Sequence, residues 1–511
     1  MCGFVITNLS VTDGEFQAAL DSIAFRGPDN NSGPVRLGSL TMGHVRLRIL
    51  GGTDSGNQPM FSADGNLALL FNGEIYNFRE IAAKEGLHLI TGTDTELLLQ
   101  MYSRYEMEFL DCLNGMFSFV VVDRHRGVVA AARDRLGVKP MYVWRHGDNF
   151  AIASETLPIR KLLGSDRPDE FTLRQYKTLR SPHGGRSFFH GIGAFPPAHS
   201  MTDWSYSRYW ELGEPASTPP SDDELEHLLR SSIAFRMVAD VEVGSFLSGG
   251  LDSSVVTSLA QVRNTWCAGF PGDEDSRLAA NLASDWQLNH HQITLNHCDF
   301  LHLAREMIGR RREPLCVPNE VALYAAARDA SEQGIKCLLC GEGADELFAG
   351  YDRIFSWAAS TTVFDLRRFA ELYCYGTEPD FEVIEDALVD FMPLREPYLI
   401  VSAFFQIAHL QSLLRRLDHA TMLASLEARE PLVDYRLVER LFGVPFDYKC
   451  AELGPKTPLK RLSAELLPNY VLEREKVGFA VPLASIFGSP PNSKAGYGAW
   501  FDFNLNCLEW C

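Results

Sequence analysis

Two sets of residues in this sequence have the types and spacing to do chemistry. The first is Ser248-Gly249-Gly250-Leu251-Asp252-Ser253-Ser254, which follows a strand-like apolar run ending at Leu247 and leads into the helical pattern Ser254–Ala260. Paired glycines let a backbone turn sharply and approach a ligand closely. The hydroxyls and N–H groups of Ser248, Ser253 and Ser254 then gather at a helix N-terminus, whose partial positive charge suits phosphate. Asp252 is an acid in an anion-seeking loop, which makes sense if it holds Mg²⁺ on the phosphates. A bare Ser-Gly-Gly would read as a capped turn, but the whole heptad after a strand points to phosphate. It is neither the dinucleotide fingerprint nor the Walker pattern.

The second is Cys2. Its neighbour Met1 is removable, which leaves an α-amine that titrates near neutrality beside the thiol, and a nucleophile paired with a terminal amine is a working catalytic arrangement. Position alone would make Cys2 incidental. Four segments add chemistry: Arg26-Gly27-Pro28-Asp29, Arg46-Leu47-Arg48-Ile49-Leu50, Asn72-Gly73-Glu74-Ile75-Tyr76-Asn77 and Thr91-Gly92-Thr93-Asp94-Thr95-Glu96. Arg46 can pair through its planar fork with the α-carboxylate of a free amino acid. Glu74 and Asp94 can hold its ammonium group. Asn72 and the Gly73 N–H can form an oxyanion hole. Asn72-Gly73 also reads as a turn, and Asp94 as a helix cap.

With Cys2, these segments resemble the glutaminase domain of class II glutamine amidotransferases, which are N-terminal nucleophile hydrolases. The Ser-Gly-Gly loop resembles the pyrophosphate loop of enzymes that split ATP into AMP and pyrophosphate. From Cys2 to about Leu483 the chain is similar to glutamine-hydrolysing asparagine synthetases. That resemblance implies ATP and Mg²⁺, with Leu247, Ser248, Gly249, Gly250, Asp252, Ser253, Ser254, Ala268, Cys340 and Gly341 at the nucleotide. It implies Asp252 and Asp345 as metal ligands, Glu342 to orient or deprotonate the attacking amine, and Lys456 to neutralise developing negative charge. Glutamine would then supply ammonia for amidation of a carboxylate by way of an acyl-adenylate. Aspartate is the expected acceptor, and a sugar acid, peptide or natural-product intermediate is the alternative. Some relatives place threonines and an arginine at the acceptor site. Here that stretch reads Glu313-Pro314-Leu315-Cys316-Val317-Pro318-Asn319-Glu320-Val321, leaving Asn319, Glu320 and the more distant Arg328 as candidates.

These groups need scaffolds. Runs such as Leu67–Phe71, Met116–Val122 and Gly127–Ala132, with a helical pattern at Thr95–Tyr102 between them, predict layered sheets and helices in the first 200 residues. Beyond about 220, long helical segments separate isolated strands at 242–247, 265–269 and 335–340, the pattern of a parallel sheet covered by helices. The expected architecture is α/β, with a layered αββα N-terminal nucleophile hydrolase domain over 1–205, a linker over 206–220 and an ATP-pyrophosphatase domain over 221–511. The segment Gly488–Cys511 matches nothing recognisable.

The chain has 511 residues, 46% hydrophobic and 22% charged, with a formal charge of −19, which argues against nucleic-acid or anionic-membrane partners. No signal peptide is apparent, and no apolar run reads as long enough to span a bilayer. The 11 cysteines show no disulfide-scaffold spacing, and Cys337-x-x-Cys340 reads as part of a buried strand, so a reducing cytoplasm is expected. Small-molecule substrates are the expected partners, and a homodimer is left open.

Overall fold

The computed structural model describes residues 2–52, 54–374, 378–474, 481–488 and 493–510. Met1, whose removal would free the Cys2 amine, and Cys511 lie outside the described residues.

The N-terminal half is built from strands that bury both faces. β1 (Cys2–Thr7) is buried throughout, as are β3 (Leu67–Ile75) and, but for its first residue, β2 (Leu40–Arg46). Side chains alternate across a strand, so Phe4 and Ile6 of β1 face Ala68 and Leu70 of β3 between two sheets. On its opposite face Val5 meets Phe16 and Leu20 of α1 (Asp13–Asp21). On the outer face of the second sheet, Leu69 and Phe71 meet Phe78 and Ile81 of α2 (Phe78–Lys84) and Leu97 and Leu98 of α3 (Asp94–Tyr105). The result is the expected αββα layering. Among the described residues one antiparallel sheet has seven strands, with β1 beside β2. The other has six, with β3 beside β4 (Gly115–Asp123).

The strand Ser205–Arg208 closes the second sheet, and Trp210–Pro220 then lies against the C-terminal half, with the Ala216 N–H donating to Phe442 O at 2.8 Å. Ser221 caps a helix over Asp222–Arg236 whose acidic first turn complements its N-terminal dipole.

The C-terminal half holds a five-stranded parallel sheet. Along the chain its strands are β5 (Val243–Phe246), β6 (Asn264–Gly269), β7 (Asn289–Thr294), β8 (Cys337–Leu339) and β9 (Glu427–Arg429). Their order in space is β7-β6-β5-β8-β9. Strand order reverses between β5 and β8, and the carboxyl ends beside such a switch point form the ligand crevice of open α/β sheets. Sequence periodicity finds β5, β6 and β8. It misses β7, Asn-His-His-Gln-Ile-Thr at an edge, and β9, three residues with two charged side chains that are nevertheless fully buried. Cys337 and Cys340 are both buried and unbridged.

One continuous helical stretch, Pro397–Leu423, is apolar and long enough to cross a membrane by length and composition, a run that sequence inspection passes over because Gln406, His409 and Arg415–Asp418 interrupt it; 67% of its apolar window is buried inside the molecule.

The two halves are joined by buried charge. Arg26 is fully buried and donates through Nη1 to Glu155 at 2.6 Å and to Asp418 at 2.8 Å, through Nη2 to Asp418 at 3.2 Å, and through Nε to the Cys2 carbonyl at 2.9 Å. Asp418 lies on the helix Leu410–Leu423 of the other half, and Lys139 reaches it at 3.6 Å. Burial raises its carboxyl, but Arg26 and Lys139 outweigh that and hold it below the usual range. Removing one partner of a buried pair strands the other charge and costs about 3–5 kcal/mol. We therefore expect Arg26→Ala to lower the thermal unfolding midpoint by several degrees in a calorimetric scan, and Arg26→Lys, which lacks the fork, to recover little of it. An unchanged midpoint for both variants would contradict this role.

Candidate active site

Two centres emerge, one in each half. The first is assembled on β1, β2 and β3. Cys2 opens β1 and pairs in register with Arg46, the last residue of β2. Its backbone N–H donates to Asn72 Oδ1 at 3.1 Å, and the residue is 8% exposed, with burial pushing the thiol pKa up. Asn72 Nδ2 is buried and has no hydrogen-bond partner among the described residues. A buried amide donor left open beside a thiol is the feature an oxyanion hole requires. Gly73 follows with φ +154°, and a Cβ there would lie 2.1 Å from Met116 O, so no larger residue fits.

Arg46 donates to Leu50 O at 2.9 Å, Gly51 O at 2.7 Å and Asn57 Oδ1 at 3.0 Å. The 47–57 loop thus orients the guanidinium, and a bound carboxylate would share it with those oxygens. Gly56 packs directly against it: a Cβ there would sit 2.3 Å from Nη2 and push the guanidinium aside. Asp94 is the first residue of its helix; the cap is Thr93. Asp94 accepts the N–H groups of Ile75 at 3.0 Å and Thr95 at 2.8 Å. Burial nevertheless raises its pKa to about 6. Glu74 is raised further, by burial and then by Asp94. Two buried carboxyls with raised pKa values form a site that an ammonium ion would relieve. Arg429 of β9 comes within 3.6 Å of Glu74, so the second half supplies part of the wall. Arg429 lies hundreds of residues from Glu74 in the chain, and sequence analysis gives it no role.

The second centre lies at the carboxyl ends of β5 and β8. The loop after β5 turns at Gly249, φ +70°, where a Cβ would lie 2.7 Å from the Ala279 backbone N. The helix Leu251–Ala260 starts from Gly250 with no side chain capping it, which leaves its first N–H groups for an anion. The serines shape the loop: Ser253 Oγ accepts from Ser248 N at 3.1 Å, and Ser254 Oγ donates to Gly250 O at 2.7 Å. Gly341 abuts this loop, since a Cβ there would be 2.7 Å from Ser253 N. Cys340 follows β8 directly and Ala268 is the penultimate residue of β6, and both are buried. Leu247, fully buried, anchors the loop beneath.

Lys456 is the centre of this site. Its Nζ lies 2.6 Å from Asp252 and 2.7 Å from Asp345. Burial works against the charge, but the two carboxylates win and its pKa rises. Lys456 has φ +63°, an uncommon conformation for a residue with a Cβ. Gly350 makes the packing feasible, because a Cβ there would overlap Asp345 and come within 2.5 Å of Lys456 Cε. Asp252 and Asp345 therefore converge on one cationic point. Among the described residues no cluster of three or more His, Cys, Asp or Glu side chains is gathered for a metal. Two convergent carboxylates fit Mg²⁺ when phosphate oxygens complete its shell.

Glu342 pairs with Arg416, whose Nη1 also donates to Asn319 Oδ1 at 3.2 Å. Glu320, 1% exposed, accepts the Cys316 N–H at 2.9 Å, and burial raises its pKa to about 7. Arg328 is outside this group: it is 43% exposed and pairs with Glu306 and Glu332. Two cations flank the 313–321 stretch: Arg311, which pairs with Glu313 at 3.1 Å, and Arg416, which reaches Asn319 from a helix nearly a hundred residues later.

Residues 224–493 match the asparagine synthase family and residues 1–210 match the glutamine amidotransferase domain. Among similar proteins, asparagine synthetase (glutamine-hydrolyzing) 3 of Bacillus subtilis is 27% identical over 89% of this chain and 82% of its own length. Asparagine synthetase (glutamine-hydrolyzing) 1 of the same organism is 26% identical over 94% of this chain and 87% of its own. Amidase chyE of Penicillium rubens is 29% identical over 66% of this chain and 55% of its own. The chain belongs to the asparagine synthase family, and with its second match it is a glutamine-dependent amidotransferase enzyme.

Proposed function

We propose that the chain hydrolyses glutamine at Cys2 and uses the ammonia to amidate an ATP-activated carboxylate, aspartate in the first instance. The observation that carries the reading is the convergence of Asp252 and Asp345 on Lys456 beside the uncapped helix at Ser248–Ser254. In this scheme Cys2 Sγ attacks the glutamine side-chain amide carbon, and the Cys2 α-amine takes the thiol proton and passes it to the departing ammonia. Asn72 Nδ2 and the Gly73 N–H bear the oxyanion, and water clears the thioester to glutamate. The Arg46 fork holds the substrate α-carboxylate, and Glu74 with Asp94 hold its ammonium.

At the second centre an acceptor carboxylate attacks the α-phosphorus of ATP and pyrophosphate leaves toward the Ser248–Ser254 loop. Mg²⁺ held by Asp252 and Asp345 would supply charge neutralisation on the phosphates. Lys456 offsets the charge developing at the reacting phosphorus, and Glu342 takes the proton from ammonia as it attacks the acyl-adenylate and expels AMP. A cavity between the halves supports an ammonia passage. Tyr76 and Met116 line it from the first half, Glu430 and Val433 from the second. Val433 in turn lies against Gly343 of the nucleotide turn.

Arg416 and Glu320 are suited to the α-carboxylate and ammonium of aspartate, since buried charges need partners. The second reading is amidation of a different carboxylate. The 313–321 stretch, without its expected threonines and arginine, favours it, as does the similarity to a protein named an amidase.

ATP–pyrophosphate exchange decides between them. Stimulation by millimolar aspartate supports the first reading; no stimulation, in protein whose glutaminase is active, leaves the second. Cys2→Ala is expected to abolish glutamine-dependent amidation yet leave ammonium-dependent amidation within about twofold. Asp252→Asn should do the reverse, suppressing pyrophosphate release at least 100-fold, about 2.7 kcal/mol, while glutamine hydrolysis persists. Equal loss of both activities in a folded variant would contradict two separate centres. The third expectation concerns pH. An ammonium ion binds the ionised form of Asp94, so kcat/KM for glutamine should lose up to about tenfold per pH unit as pH falls through the free-site value of about 6, on top of the losses from protonating the Cys2 amine and Glu74 at higher pH, and Asp94→Asn should remove that component. A flat profile from pH 7 to 5 would remove Asp94 from the ammonium site.

A further inference from the structure

The last helix, Ser493–Cys507, begins where the family match ends and packs back into the core. Trp500, Phe501 and Leu505 are buried, and so is Asn504, which is fully inaccessible. Asn504 Oδ1 accepts the Leu315 N–H at 2.8 Å, while its Nδ2 donates to Trp500 O of its own helix at 2.8 Å, which fixes the amide. The Leu315 carbonyl is held from the other side by Tyr176 Oη at 2.9 Å. Tyr176 belongs to the helix Glu170–Leu179 of the N-terminal half, and its ring lies edge-on to Phe501 at 4.8 Å. Both backbone polar groups of one buried residue are therefore clamped by side chains from the two halves of the chain. Leu315 lies four residues before Asn319, the partner of Arg416, and one before Cys316, the partner of Glu320. Displacing Leu315 would carry those contacts with it, and a buried N–H or C=O cannot lose its partner cheaply.

We infer that Asn504 and Tyr176 are positioning residues that set the 313–321 stretch against Arg416 and so determine which carboxylate the enzyme accepts. This rests on the proposed amidation and deepens it. Tight regional packing alone would also bury these side chains, but it would not link them selectively to one substrate. The clamp predicts a split in the kinetics. Asn504→Ala raises the acceptor KM about tenfold, and its KM values for ATP and glutamine and its basal glutamine hydrolysis stay within about twofold. Asn504→Asp, which keeps an acceptor oxygen for Leu315, recovers most of the acceptor KM. Tyr176→Phe removes only the hydroxyl and keeps the ring on Phe501, so it is folded and shows the same split with a smaller rise.

The experiment is steady-state pyrophosphate release with the full-length enzyme, using the carboxylate that stimulates wild-type exchange. A uniform fall in kcat without a change in acceptor KM, or an unchanged acceptor KM in folded Tyr176→Phe, overturns the inference while the amidation reading stands. A wild-type enzyme that releases no pyrophosphate with any carboxylate tested overturns both.

Discussion

The Arg26 guanidinium is the interaction on which the rest of the molecule depends. It is buried completely and touches the Cys2 carbonyl, Glu155 of the first half and Asp418 of the second. A guanidinium inside a protein is tolerable only when its fork is matched by carboxylates in good geometry. The match here needs both halves in place, so the position of Cys2 is tied to the seating of the Leu410–Leu423 helix. That helix also carries Arg416, two residues before Asp418, against Asn319 of the 313–321 stretch. One element thus carries both a tie to the first centre and the cation that pairs with Glu342 in the second half.

The same economy appears at β9. Its three residues complete the parallel sheet, and the register Cys337↔Glu427 fixes where they end. Arg429 then points back to Glu74 in the other half and bonds Glu427 at 2.5 Å. Short charged strands of this kind are stable only in the interior of a completed structure, where every charge has a partner. Replacing a buried ion pair by apolar residues is often neutral in stability, whereas removing one partner strands the other charge, so Arg429, Glu427 and Glu74 hold together only as a set.

Much of the fold and of both centres is legible in the residues themselves. Alternating or continuous apolar runs mark β3, β4, β5 and β6, because burial on one or two faces leaves a periodic trace. The Ser-Gly-Gly loop is legible because it is local: strand, turn and helix are contiguous, and Gly249 needs its positive φ whatever surrounds it. Asp252, Asp345 and Lys456 are legible as chemical types. Sequence analysis also expects cations and carboxylates at the acceptor stretch but looks to Arg328, which the structure puts on the outside, paired with Glu306.

What the sequence by itself determined is the chemistry in hand: a thiol beside the N-terminus, an acid-bearing Ser-Gly-Gly loop that opens a helix, and secondary structure good enough to place them on an α/β scaffold. Only the tertiary structure decided which charges meet. Arg416 with Asn319, Arg26 with Asp418, Lys456 between Asp252 and Asp345, and Asn504 with Leu315 join segments tens to hundreds of residues apart. Electrostatic and hydrogen-bond partners are set by distances of about 3 Å in space, and no periodicity along the chain encodes a distance of that kind. A buried charge must find its partner among whatever residues the packed core brings to it.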